Sequence, residues 1–264
     1  LGGIEYFDKK TEEFIHYNTT NVQGLVSNYN WCIFYDSDEK LYIGHVTDGL
    51  SILNPKTRKA INLRHDPKNP NSLPDNTVTC IYKDSRSNIW IGTRNGLCVF
   101  DPIIGKMVNF KNDFKNPYSL VNNFIQSIVE DNNSQLWIGT EGGGLCILNL
   151  NQINSINNLK PESIKFLRIP ISDTPEGLSS GSVQEIFIDS FGNKWIGGLG
   201  GGINFISANE PFFKNITYIP VYGNLNSLNW KVASGLCIDD ENNLWVANVS
   251  GGICIYKNNN KIKE

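Results

Sequence analysis

Residues suited to catalysis are scarce in this 264-residue sequence. It has three histidines, His16, His45 and His65, and no Gly-x-Ser-x-Gly or His-Glu-x-x-His pattern. Neither a nucleophile elbow nor a helix-borne zinc site is therefore expected. Its six cysteines include no Cys-x-x-Cys pair, so no metal or other cofactor is expected. Basic residues are also short: 23 Lys and Arg against 26 Asp and Glu leave a net charge of −3. That disfavours a uniformly basic nucleic-acid binder, and no nucleic-acid partner is expected. No stretch approaches the roughly 18 apolar residues that span a bilayer. No signal peptide or lipidation box is visible, so residue 1 reads as a fragment boundary and no targeting signal names the compartment. No segment keeps a 3.6-residue apolar period for three turns, which excludes a helical solenoid.

Aromatics, glycine and asparagine are abundant. Aromatic residues make 11% of the chain, with six Trp, and there are 24 Gly. Gly and Asn tolerate positive φ and so suit many tight turns between short strands. Five segments repeat. In each, an apolar run ends in Asp36, Asp84, Asp131, Asp189 or Asp239, and six residues later stands Tyr42, Trp90, Trp137, Trp195 or Trp245. A glycine and a second apolar run follow, as in Gly49-Leu50, Gly96-Leu97, Gly144-Leu145, Gly202-Ile203 and Gly252-Ile253. Gly3-Ile4 opens a sixth instance. The aromatics are 47 to 58 residues apart.

Four short strands in about 50 residues, joined by hairpins, mark an all-β chain of β-propeller blades. A β-helix has shorter coils and is set aside. The strands are labelled A (ending at the Asp), B (holding the Trp), C (after the Gly) and D. The expected units are a half-blade at 1–17, blades at 25–64, 73–111, 120–168 and 178–219, and a last blade at 228–264 lacking most of its outer strand. The repeat phase thus predicts about five blades and a half-blade, cut from a larger, seven-bladed ring. It also predicts an open arc, or association through the terminal edges.

These repeats resemble a known family. Asp84…Asn88-Ile89-Trp90-Ile91-Gly92-Thr93…Gly96-Leu97 and Asp131…Gln135-Leu136-Trp137-Ile138-Gly139-Thr140…Gly143-Gly144-Leu145 are similar to the two-component regulator propeller repeat. The link Asn71-Ser72-Leu73-Pro74-Asp75-Asn76 fits its lead-in to strand A. The first and last copies depart, with Tyr42 for Trp and Ala247 for Gly. The resemblance implies the periplasmic region of an inner-membrane hybrid two-component sensor, from gut bacteria that degrade polysaccharides. It implies an oligosaccharide ligand, other propeller and immunoglobulin-like domains in the parent chain, a histidine kinase beyond the membrane, and a homodimer in the parent. The family has no universal ligand-binding residue, so no site transfers by position.

The repeated features have structural explanations. Each Asp sits where strand A turns into B and can accept from turn N–H groups. Asp36-Ser37-Asp38 lacks the Gly and distal Glu of a calcium loop. Each Trp keeps one register and should pack between neighbouring sheets. The run Gly197 to Gly202 precedes no helix and so lacks the N-terminus that holds a phosphate. Cys32 and Cys80 share one register, and Cys98, Cys146 and Cys254 another. Equivalent positions in adjacent blades are about 10 Å apart, too far for a disulfide. All six cysteines are expected as buried free thiols.

Departures from the repeat carry the site expectation. Trp31 stands where other blades have Thr79, Gln126, Gln184 and Ser234, and Trp230 where others have Ser27, Asp75, Asn122 and Ser180. A Trp beside a polar face can stack on a sugar ring. The turns between B and C add His45, Asp48, Arg94, Asn95, Glu141 and Asn248, whose amides and charges suit sugar hydroxyls. The reading is a glycan-sensing propeller that binds and does not catalyse. Its rivals are a propeller scaffold without its own ligand and a propeller lyase-type enzyme.

Overall fold

The computed structural model describes residues 2–172, 177–208, 213–216, 227–230, 232–257 and 260–263. It opens with a two-stranded sheet, β1 (Ile4–Asp8) against β2 (Glu13–Tyr17). Five four-stranded antiparallel sheets follow in the blade pattern of a β-propeller. The first holds β3 (Asn30–Tyr35), β4 (Leu41–His45), β5 (Leu50–Asn54) and β6 (Lys59–Leu63). The second holds β7 (Val78–Lys83), β8 (Ile89–Thr93), β9 (Gly96–Asp101) and β10 (Lys106–Phe110). The third holds β11 (Ile125–Glu130), β12 (Gln135–Thr140), β13 (Gly144–Asn149) and β14 (Phe166–Ile169). The fourth holds β15 (Val183–Ile188), β16 (Lys194–Gly198), β17 (Gly202–Ile206) and β18 (Phe213–Ile216). The fifth holds β19 (Ala233–Ile238), β20 (Leu244–Asn248), β21 (Gly252–Lys257) and β22 (Asn260–Lys263). Two compact units divide the chain: residues 1–111 with 123–125 and 154–163, and the remainder.

Strands consecutive in sequence pair antiparallel, so sequence neighbours are sheet neighbours. The Asp turn closes β-hairpins A–B by side-chain acceptance. Asp84 Oδ1 takes the N–H of Arg86 and of Asn88, and its Oδ2 takes the indole Nε1–H of Trp90 at 2.8 Å. The same indole bond recurs from Trp137 to Asp131, Trp195 to Asp189 and Trp245 to Asp239. The six-residue spacing is thus the reach from the turn to the Trp ring. Trp90, Trp137 and Trp195 are buried, and Trp245 is half-buried.

A second donor to the Asp is exchangeable. Asn88, Asn193 and Asn243 donate their side-chain amides to Asp84, Asp189 and Asp239. Lys40 and Gln135 occupy that position in the first and third sheets. There a lysine from the following sheet serves instead. Lys83 Nζ is 2.5 Å from Asp36, and Lys194 Nζ is 3.7 Å from Asp131. In the first sheet Tyr42 replaces the Trp. Its buried hydroxyl has no hydrogen-bond partner among the described residues, and burial pushes it up to about 12.

The glycine of strand B exists because the next sheet approaches there. A Cβ on Gly44 would lie 2.7 Å from Val78 Cγ1, on Gly92 2.9 Å from Ile125 Cγ2, and on Gly139 2.6 Å from Val183 Cγ1. Opposite Gly197 stands the smaller Ala233, at 3.6 Å. Outer strands hold the incoming links. Asn62 donates to the carbonyl of Gly24, Asn109 to those of Pro70 and Ser72, and Arg168 to those of Asn116, Ser119 and Leu120. All three share one register, opposite Ser51, Cys98 and Cys146.

Three details differ from the sequence reading. The 58-residue spacing in the third sheet comes from an insertion after β13 with three 3-10 turns, Leu150–Gln152, Ile156–Asn158 and Pro161–Ser163. Ile153, Ile156 and Ile164 anchor it as buried residues. The last sheet does have a fourth strand, β22, pairing with β21 as Lys257↔Asn260 and Tyr256↔Lys261. The six cysteines are free thiols, as expected, but Cys237 is exposed. It faces out of β19, whose alternation puts its neighbours Leu236 and Ile238 against the core of the unit.

Candidate ligand-binding face

A recurrent β-bulge sets the candidate site. The innermost strand skips one residue in its pairing between Asn30 and Cys32, Val78 and Cys80, Val183 and Glu185, and Ala233 and Gly235. The unpaired residues are Trp31, Thr79, Gln184 and Ser234. A bulge frees a side chain from the ladder and re-aims it, which is why bulges gather beside functional sites. The sequence position at which Trp31 departs from the repeat is therefore one with no partner across the strand. Thr79 is buried and donates to the carbonyl of Ile125 at 2.6 Å. Trp31 is 52% exposed.

In the second unit this position builds a polar cluster. Glu141, in the turn from β12 to β13, accepts from Gln126 Nε2 at 3.0 Å and Gln184 Nε2 at 2.8 Å on one oxygen. Its other oxygen accepts from Ser182 Oγ at 2.9 Å. Ser182 Oγ also receives the Gly142 N–H, tying the turn to the lead-in of the next sheet. The turn lies close to its neighbour because Gly143 has no side chain: a Cβ there would lie 2.6 Å from Asn122 Cβ. Each glutamine amide carries a carbonyl oxygen and a second N–H beyond its bond to Glu141. A carboxylate loaded with three donors orients amides and is poorly placed for proton transfer. Among the described residues no group of three or more His, Cys, Asp or Glu side chains could hold a metal ion.

The other expected site residues separate into two sets. His45 and Asn248 are buried and are corrections to the sequence reading. Both occupy the strand-B end where Thr93 and Thr140 tie the following turn through bonds to the carbonyls of Gly96 and Gly144. Asn248 reaches the Gly252 carbonyl, and His45 Nε2 lies 2.7 Å from Ser51 Oγ. Burial holds His45 below its ordinary value, against the pull of Asp48. Asp48 pairs with Arg64 at 3.3 Å, Arg94 stacks over the Phe124 ring at 5.7 Å, and Asn95 is exposed. Trp230 is 38% exposed and backs onto the turn at Gly251, where a Cβ would lie 2.8 Å from its own. Of the expected residues, Glu141 is thus the one with a built surround. Gln126, Gln184 and Ser182 were not among them, although the shared register with Trp31 pointed at both glutamines.

The two-component regulator propeller model matches residues 72–95 and 119–142, two copies of the repeat with its Ser-Leu lead-in. Two segments of the chain thus match the two-component regulator propeller repeat. The propeller is similar to the extracellular domain of BT3049 from B. thetaiotaomicron, described as a hybrid two-component system, at 37% identity and a TM-score of 0.63. That match covers 99% of this chain and 31% of the other, so the chain spans about a third of its length. The extracellular domain of BT4673 from B. thetaiotaomicron, described as a one-component system, shares the fold at 20% identity and a TM-score of 0.61, over 100% of this chain and 40% of that one. No curated protein matches the chain. Among the described residues no helix is long and apolar enough to cross a membrane.

Proposed function

We propose that this propeller is the ligand-sensing part of the periplasmic region of an inner-membrane hybrid two-component sensor. Its ligand is an oligosaccharide released from a glycan, and its signal controls polysaccharide-utilisation genes through a histidine kinase elsewhere in the parent chain. Contacts with further propeller and immunoglobulin-like domains, and a homodimer of the parent, belong to the same reading. The observation that carries it is the Gln126–Glu141–Gln184 array. Its amides are pre-oriented by a carboxylate, and pre-orientation lowers the ordering cost of binding a flexible, hydroxyl-rich ligand. Relatedness to an extracellular sensor domain supports the setting.

Calorimetric titration with a panel of plant and host glycan oligosaccharides tests the reading. A binder should lose at least tenfold in affinity on Glu141→Ala and on Gln184→Ala, with melting temperature nearly unchanged. A panel without any binder, or a binder indifferent to both substitutions, would favour the scaffold instead.

A further inference from the structure

The Asp turns lie at the other end of the strands from the Gln–Glu array, and there the fourth and fifth sheets enclose a cleft of about 300 Å³. Its walls include Trp195, Phe205, Phe191 and Tyr256, with Asp189 at one side. An adjoining hollow of about 420 Å³ shares Phe191 and Ile238 and adds Phe187, Asp239 and Asp240. Trp195 and Phe205 pack tilted at 50°, with 4.4 Å between centroids. Phe191 is 65% exposed, a large apolar ring left at the mouth. Among the described residues lining the two hollows there is no lysine or arginine.

At two other sheet pairs the equivalent space holds a lysine side chain. Between the third and fourth sheets Lys194 crosses it, its ammonium 5.6 Å above the Trp137 ring and 3.7 Å from Asp131. Between the first and second, Lys83 reaches Asp36. The strand registers identify the counterparts. Lys194 pairs with Ile188 as Leu244 pairs with Ile238, and Lys83 pairs with Ile89 in the same register. Leu244 and Ile238 therefore stand where those lysines stand, and both line the cleft. Here the aromatic wall and the carboxylate are present, and the Asn193 amide, not a lysine, is the second donor to Asp189.

We propose that this cleft binds an alkylammonium group from outside the chain, either a lysine side chain of a partner protein or a free diamine. A cation over aromatic faces beside a carboxylate gains from both, and more so when partly desolvated. The short apolar stem would lie along Phe191 and Leu244. Asp239 adds fixed negative charge: the Trp245 indole and the Asn243 amide hold its carboxyl down to about 2. This site is independent of the sugar-binding reading, since it lies at the opposite strand ends and shares no residue with it.

The test follows the Trp195 indole N–H resonance of the ¹⁵N-labelled chain during titration with n-butylammonium chloride and, separately, with isosteric n-butanol. The cation should shift it saturably and the alcohol should not. Leu244→Lys, which restores the tethered ammonium, should abolish the shift. Phe191→Ala, at an exposed position that leaves folding intact, should weaken binding at least fivefold. Absence of a saturable shift, an equal shift with n-butanol, or binding unchanged in Phe191→Ala would overturn the site. Nα-acetyl-lysine N-methylamide against 1,4-diaminobutane then separates the sources: tighter binding of the first assigns a protein lysine, tighter binding of the second a free diamine.

Discussion

Tryptophans of this chain fall into two physical classes although they look alike in composition. Trp137 is buried, donates to Asp131 and carries Lys194 above its ring. Trp31 is a bulge residue with half its surface in solvent. Trp137→Ala should therefore destabilise by about 3–5 kcal/mol, while Trp31→Ala should leave the denaturation midpoint nearly unmoved; equilibrium urea unfolding of both variants checks this. Thiols divide in the same way. Burial pushes Cys32 up to about 12 and Cys146 to about 11, and pushes Cys98 up as well. Because the thiolate is the reactive form, a disulfide reagent should modify one thiol of the native protein promptly, Cys237, and all six after denaturation. Prompt modification of three or more in the native state would contradict the burial pattern. The Asp and Trp roles were legible from sequence because both lie within one hairpin, six residues apart. The lysine substitutions were not, since Lys83 and Lys194 reach their Asp from another sheet, 47 and 63 residues along the chain.

Strand B shows how one element is shaped by its neighbour. Its glycine follows a Trp-Ile pair in three copies, as Gly92, Gly139 and Gly197, and follows Tyr42-Ile43 in a fourth, as Gly44. In three of the four, a β-branched side chain of the next innermost strand fills the space a Cβ would take. Overpacking of this kind typically costs about 1–3 kcal/mol. Gly139→Ala should lower the melting temperature, and Val183→Ala in the same chain should restore part of the loss, a coupling of about 0.5–3 kcal/mol in a double-mutant cycle. Additive losses would mean that Gly139 is there for backbone reasons alone. The same comparison across copies explains the two misplaced site residues. His45 and Asn248 read as face residues because they sit in a turn. Alignment with Thr93 and Thr140 shows that the position is buried: the threonine hydroxyls and the Asn248 amide reach the carbonyl of the glycine that opens the next strand, and the His45 imidazole meets Ser51 Oγ instead.

The whole molecule's acid response should be shaped by groups that bury on folding. The unfolded chain's imidazoles take up a proton below about pH 6.5, whereas folded His45 resists protonation to a lower pH. The unfolded state then binds more protons, so stability falls as pH falls through that window. Glu185 runs the other way. Burial raises its carboxyl above the ordinary 4.5, so its contribution is lost as pH rises past that value, when the unfolded carboxyl ionises first. Asp36 and Asp239, both lowered, contribute stability above about pH 4 that disappears below it. For Asp36, burial opposes the shift and the Lys83 ammonium overcomes it. Melting temperature should accordingly drop between pH 7 and 5.5, and His45→Asn, which places at this position the residue the fifth sheet carries, should remove that component. An unchanged slope in the variant would show that His45 is protonated in the fold.

Period and residue type by themselves determined the blade pattern, the Asp–Trp turns and the likeness to the two-component regulator propeller repeat, because each is a local rule written several times over. A hairpin's register, a turn's acceptor and a strand's alternation depend on residues within about ten positions, and five copies average out the exceptions. Tertiary structure alone decided what faces what. The insertion at 150–163, the lysines that stand in for absent asparagines, the meeting of Gln126 and Gln184 on Glu141, and the cleft beside Trp195 all join residues from different hairpins. Such pairings follow from how neighbouring sheets approach one another, and no single repeat contains the distances that set them.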